Sequence, residues 1–264
     1  MDIFNSELLI KTFSVLRKLF PSDSVNEQKL REKDRKLIAE GKLGEPVAHK
    51  IAYTDGILSR DEILSCCAVF YKNENVGPDD IKLISDAGFD FVLCDSKGEF
   101  GEMLASECEK NGLALLGRDE RVPHYDGYSE ALEEGADYFN GYKFYPCKIG
   151  DGGCDEPHTS KFKTIENFRK LYQSALPDKF IFNNLFPDGA GKKQLGAKNY
   201  REYVELFAKT VNNDYICVDE YPFFSFTAIN RVTFHICLNT YETIADACRR
   251  YDRDFWIYIQ TQKN

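Results

Sequence analysis

Seven short apolar runs, each ending in polar residues and separated from the next by a segment of helical character, constrain this chain more than any other feature. The runs are Ala68 to Tyr71, Phe89 to Cys94, Leu113 to Gly117, Lys148 to Gly153, Lys179 to Asn184, Tyr215 to Val218 and Phe255 to Gln260. Their length and their Gly, Asp and Asn borders mark buried strands. Between them, Pro78-Asp79-Asp80 opens a helix through Ala87 that Gly88 closes, and Glu99 to Asn111 forms a second helix closed by Gly112. Ser129 to Tyr138, Lys161 to Ser174, Tyr200 to Val211 and a long stretch within Arg231 to Tyr251 supply the remaining helices. Strands that alternate with helices pair in parallel through right-handed crossovers, so the expected class is α/β and the expected architecture a (β/α)8 TIM barrel. No GxGxxG or P-loop pattern follows any run, which weighs against a doubly wound nucleotide-binding sheet.

Four residues after the seventh run the chain reaches its last residue, Asn264, so an eighth strand is lacking or substituted. The alternating segment Val47 to Tyr53 is one candidate to pair between strands one and seven; the alternative is a truncated copy of a longer enzyme. An edge of two buried strands left open invites association, so an oligomer is possible through it. Upstream, Leu9, Phe13, Leu16 and Phe20 recur at helical spacing until Pro21, and residues 22–46 are charged and poor in apolar side chains. The domain reading is an N-terminal helical extension over 1–46 and a (β/α) barrel domain over 47–264.

Of the 264 residues, 43% are hydrophobic and 14% aromatic, enough to fill a large core. A net charge of -9 sets an acidic surface against nucleic acid and anionic membrane, neither of which is an expected partner. The N-terminus has no basic region before its apolar run and no small-residue cleavage site, and no run approaches the ~18 apolar residues of a membrane span. A cytoplasmic location is the expectation. Nine cysteines, an odd number without a CxxC pair or Cys/His ligand spacing, read as reduced and buried. His49, His124 and His235 have no partners at ligand spacing. No metal and no cofactor are expected.

In a parallel barrel the C-terminal strand ends converge on the face where chemistry is done. The polar residues at those ends are Asp95, Asp119, Asp155, Glu156, Asn183, Asn184, Asp219, Glu220, Tyr221 and Gln260. Phe186, Phe223 and Trp256 add aromatic rings that either stack on a sugar or plug the barrel mouth. Carboxylates, amides and aromatics together suit a carbohydrate ligand. Glycosidic cleavage needs one protonated carboxyl at the leaving oxygen and a second carboxylate as nucleophile or base. Glu156, locked by Pro157 and next to Asp155, is the candidate general acid, because burial and like charge raise a carboxyl pKa. His158 lies beside it as a further contact or a surface residue. The segment 189–200 is a glycine- and lysine-containing loop at the rim or in solvent.

The series GCDEP (153–157), FIFNNLFP (180–187), DYICVDEYPF (214–223) and DFWIYIQ (254–260) resembles barrels of glycoside hydrolase clan A, particularly β-galactosidase-like barrel proteins of gut bacteria. The resemblance spans about residues 65 to 262. It implies that Glu156 stands at the clan's strand-four acid/base position, with Asp155 where an Asn usually contacts the sugar. Asn184, Asp219 and Tyr221 would line the pocket; independently of the resemblance, Gln260, Trp256 and Asp95 are further substrate-binding candidates from the strand ends and their aromatic rings. The clan's nucleophile is a Glu at the end of strand seven, where this chain has Trp256 to Gln262 and no carboxylate. Asp219 is then the second carboxylate, acting as base for water at wider separation, which favours inversion. Glu220 is its rival, although successive strand residues point oppositely. Two readings stand: a glycoside hydrolase using Glu156 and Asp219, and a catalytically inactive carbohydrate-binding barrel or enzyme fragment.

Overall fold

A computed structural model describes residues 66–68, 76–94, 98–119, 121–123, 127–221 and 227–258, with backbone alone for 66–68 and 227–235. The helix expected over 6–20, the segment 22–46, the boundary at residue 46 and the strand expected over 47–53 lie outside the described residues. So do Asp95, Phe223 and Gln260.

Among the described residues seven strands form one sheet: β1 (Cys66–Ala68), β2 (Phe91–Leu93), β3 (Ala114–Gly117), β4 (Lys148–Asp155), β5 (Phe180–Leu185), β6 (Tyr215–Asp219) and β7 (Asp254–Tyr258). Their spatial order is their sequence order, and every neighbouring pair is parallel. Helices fill the connections: α1 (Pro78–Asp86), α2 (Gly98–Lys110), α3 (Tyr128–Glu134), α4 (Phe162–Ala175), the single turn α5 (Lys192–Leu195), α6 (Tyr200–Thr210) and α7 (Thr227–Tyr251). This is the winding of a (β/α)8 barrel, with seven of its strands among the described residues.

Curvature follows from the rings inside. Phe91 of β2 and Trp256 of β7 lie with ring centroids 5.7 Å apart. A flat sheet would hold strands two and seven about 24 Å apart, at ~4.8 Å per strand. The sheet therefore curls around a shared aromatic filling in which Phe91, Phe180, Phe182 and Tyr215 join Ala114, Leu116, Ile149 and Cys217, with Trp256 and Tyr258 packed against them. Among the described residues β1 and β7 do not pair with each other, and each has one strand neighbour.

The opposite face of the sheet carries the helices. Ile181, Leu185, Ile216 and Val218 pack with Phe162, Ile165, Phe168 and Tyr172 of α4, with Tyr203, Val204 and Phe207 of α6, and with Ile244 and Ala247 of α7. Val92 and Leu115 pack likewise under Ile81 of α1 and Leu104, Ala105 and Cys108 of α2. Alternation along β5 and β6 thus sends 180, 182 and 184, and 215, 217 and 219, to the interior. Buried charge on the helix side is compensated: Lys148, 1% exposed, reaches Asp151 at 2.7 Å, and Asp151 also accepts from the hydroxyls of Tyr142 and Tyr172 and the Asp119 amide.

Two elements differ from the sequence expectation. The helix expected through Tyr138 stops at Glu134 because Gly135 takes φ +70, and a 3-10 turn continues to Phe139. Within the segment expected as loop, α5 forms where the Gln194 side chain accepts from the Gly191 amide at 2.8 Å and Gly196 ends the turn at φ +71. Cys94, Cys108, Cys147, Cys154, Cys217, Cys237 and Cys248 are buried. No described helix is long and apolar enough to cross a membrane.

Candidate active site

The site is built where β4, β5 and β6 end. In β4 the pairing with β5 runs Gly150 with Phe180, Asp151 with Ile181 and Gly152 with Phe182, then shifts so that Asp155, not Cys154, stands opposite Asn184. One extra residue in β4, a bulge, turns the alternation over. Cys154 consequently lies among the helix-side residues, and Asp155 joins the interior row beside Asn184. Glycines make the bulge possible. A Cβ on Gly153 would stand 2.5 Å from Ile181 Cγ2 and 2.9 Å from the Phe182 carbonyl oxygen. Arg118, at the end of β3, donates from Nε and Nη2 to the Gly152 and Gly153 carbonyls at 3.2 Å each.

Asn184 joins two carboxylates. Its Nδ2 donates to Asp155 Oδ1 at 3.1 Å and to Asp219 Oδ1 at 2.7 Å, while the residue itself is 5% exposed. Both carboxylates accept, and at Asp219 the amide favours the ionised form. Burial nevertheless pushes the Asp219 carboxyl above its ordinary range, with Asp155 adding like charge and the hydrogen bonds from Asn184 and Tyr221 opposing the rise. Tyr221, 46% exposed at the rim, donates to Asp219; burial and that carboxylate push its hydroxyl up to about 12.

Glu156 follows the bulge. Its amide donates to the Asn184 carbonyl at 2.9 Å, extending the ladder one residue past β4, and its φ is +47. Partial burial, then Asp219, then Asp155 raise its carboxyl from 4.5 to about 7. The side chain itself remains exposed to the barrel mouth. Among the described residues no ion pair compensates Asp155, Glu156 or Asp219. A carboxyl poised near neutrality beside a carboxylate held by an amide can give and take a proton at one place.

Of the residues expected at this face, the structure brings together Asp155, Glu156, Asn184, Asp219 and Tyr221. Others are directed elsewhere. Glu220, 7% exposed, faces the helices and accepts from Thr240 Oγ1 of α7 at 2.9 Å, so of the rival pair Asp219 is the inward residue. Asn183 uses Oδ1 to accept from the Cys154 amide on the helix side, and Asp119 lies 3.8 Å from Lys148. Trp256 is paired with Cys217, one step below the level of Asp219 and Tyr258, and stacks on Tyr215 at 4.4 Å inside the barrel filling. His158 is exposed, with Nδ1 accepting from the Ser160 amide at 3.1 Å. No group of three or more His, Cys, Asp or Glu among the described residues is arranged to hold a metal ion.

Sequence reasoning did not single out Tyr203. Its place in the apolar stripe of α6, with Tyr200 and Phe207, marks a core residue, and only the folded chain shows its hydroxyl donating to the Pro157 carbonyl at 2.8 Å.

No family model matches the chain, and no curated protein does. Several solved structures are similar to it. They include the endo-beta-1,4-mannanase from Thermotoga petrophila, 9% identical over 75% of this chain and 61% of that one, with a TM-score of 0.48. A GH10 endoxylanase retrieved from a sugarcane soil metagenome is 12% identical over 75% of this chain and 66% of its own, with a TM-score of 0.46. The beta-glucuronidase of Parabacteroides merdae is 9% identical over 75% of this chain and 24% of its own, with a TM-score of 0.43. The chain spans less than two thirds of each.

Proposed function

We propose that this chain is a glycoside hydrolase-like barrel that acts on a carbohydrate, with Glu156 as general acid and Asp219 as second carboxylate. The observation that carries the reading is the gathering of carboxyls at one barrel face: Asn184 holds Asp155 and Asp219 through one amide, and beside them the Glu156 carboxyl is pushed up to about 7. A carboxyl that keeps its proton near neutrality suits a general acid, and a carboxylate held in place beside it suits a base for water. In this reading Glu156 delivers its proton to the glycosidic oxygen as the bond to the anomeric carbon breaks. Water attacks that carbon, and Asp219 takes the proton the water gives up. Asp155 and Tyr221 are the candidate hydrogen-bond partners of the sugar hydroxyls, with Asn184 orienting both aspartates.

Hydrolysis of a panel of aryl glycosides by the wild type and Glu156→Gln tests this. The expected result is turnover by the wild type and a fall of roughly 10²- to 10⁴-fold in the variant, the usual size of a general acid's contribution. Equal rates in the two proteins refute the assignment.

A second reading, a barrel that binds a sugar without cleaving it, is favoured by one feature. The inward position at the end of β7, level with Asp219, is Tyr258 rather than a carboxylate. Sugar binding by folded wild type without turnover of any glycoside supports it.

A further inference from the structure

We propose that Tyr203 is a positioning residue for Glu156, clamping the turn 156–159 together with the backbone around Gly196. The inference rests on the reading of Glu156 as general acid, and its test is chosen to decide it separately.

The conformation of Glu156 needs an explanation that the turn itself does not provide. A residue before proline is driven toward extended backbone, and a non-glycine residue avoids positive φ; Glu156, followed by Pro157, has φ +47. Such a residue persists only where its surroundings over-determine it. Two hydrogen bonds bracket it. On one side its amide is held by the Asn184 carbonyl at 2.9 Å, and on the other the Pro157 carbonyl accepts from the Tyr203 hydroxyl at 2.8 Å. The Tyr203 oxygen in turn accepts from the Phe186 amide at 3.4 Å, so one buried hydroxyl ties the β4 turn to the strand-end backbone after β5. The ring is fully buried, packed on Phe162 at 5.4 Å and on Phe186 at 6.2 Å, and cannot swing away.

A second contact holds the far end of the turn. Thr159 Oγ1 donates to the Gly196 carbonyl at 2.9 Å. Gly196 has no room for a side chain, because a Cβ there would overlap the His158 ring and Thr159 Oγ1. The segment 186–199 thus braces the turn from the side opposite Asn184. The titratable groups near Glu156 are Asp155 of the same turn, Asp219 of β6 and Tyr203 of α6. The first two are fixed by Asn184, and the clamp fixes where the Glu156 carboxyl stands relative to them. Released, the turn relaxes toward extended backbone and carries the carboxyl into solvent, away from Asp219.

Tyr203→Phe keeps the ring and removes the clamp. The decisive readout is the titration of the Glu156 carboxyl, followed by carbon-detected NMR in wild type and variant, with Glu156→Gln to assign the signal. The clamp predicts a midpoint near 7 in the wild type that falls toward the ordinary glutamate value in Tyr203→Phe. It also predicts kcat on a cleaved aryl glycoside reduced roughly 10- to 100-fold at unchanged KM, since misplacing a reacting group acts on the chemical step. An unchanged midpoint in folded Tyr203→Phe overturns the inference, even if thermal stability falls. If the wild type cleaves nothing, the catalytic reading fails and the titration still decides the clamp. Should Tyr203→Phe not fold, Thr159→Val loosens the same turn from its surface side; a smaller fall in the midpoint supports the inference and an unchanged one refutes it.

Discussion

Glu156→Gln should stabilise the folded chain above pH 7 and lose that advantage in acid. The folded state raises the Glu156 carboxyl from 4.5 to about 7. A group whose proton is held more tightly in the folded than in the unfolded chain makes stability fall as pH rises between those two values. Above pH 7 the full penalty of the ionised carboxylate is present, and below 4.5 it is absent. At 1.36 kcal/mol per pH unit the upper bound is about 3 kcal/mol. Because the Glu156 side chain is exposed at the barrel mouth, solvent screening reduces this, and about 1 kcal/mol is the expected size. Glutamine keeps the shape and removes the charge. Urea unfolding of wild type and variant at pH 4.5 and pH 8 measures the effect as the difference between the two stability gaps. In melting temperature the gain at pH 8 corresponds to about 2–4 °C for a domain of this size. A gap that is the same at both pH values, or a variant less stable than wild type at pH 8, refutes the electrostatic account of this carboxyl.

Two further perturbations probe the scaffold. Lys148→Met leaves Asp151, 0% exposed, as a buried charge without its cation, and should cost about 3–5 kcal/mol in denaturant unfolding; no loss would mean that the hydroxyls of Tyr142 and Tyr172 suffice. Gly153→Ala forces a methyl to within 2.5 Å of Ile181 Cγ2 and 2.9 Å of the Phe182 carbonyl oxygen. It should lower stability by about 1–3 kcal/mol and also shift the Glu156 titration, because the bulge that aims Asp155 can no longer close; a destabilised chain with unaltered titration would separate the bulge from the site.

Much of the architecture is legible along the chain because its signals are local. Pro78 with two aspartates starts α1, and the carboxylate of Asp80 indeed accepts from the Gly77 amide at 2.8 Å. Asn199 caps α6 by accepting from the Glu202 amide at 2.9 Å. Each apolar run holds a strand among the described residues; β1 is described over Cys66–Ala68 and meets the expected run at Ala68, the rest of which lies outside the described residues. The short turn α5 escaped notice because four residues between two glycines show no period.

The site was legible as a set of residue types and not as an arrangement. Acidic and amide residues at the ends of β4, β5 and β6 follow from where the apolar runs stop. Which of them face one another depends on register counted across strands, and that is a property of the closed sheet. The bulge between Gly152 and Asp155 reversed the facing that strict alternation assigns, putting Cys154 under the helices and Asp155 beside Asn184. Asp219 and Glu220, equivalent by composition, were separated by the side of β6 on which each falls, one toward Asn184 and the other toward Thr240. Trp256, a ring at a strand end by sequence, fills the barrel because curvature brings β7 across from β2. The amino-acid sequence by itself determined the order of elements, their parallel winding and the acidic character of one face, since these rest on neighbours in the chain. Only the tertiary structure decided the bulge, the left-handed backbone of Glu156 and the hydroxyl of Tyr203 beneath it, because each arises where segments distant in sequence press on one another.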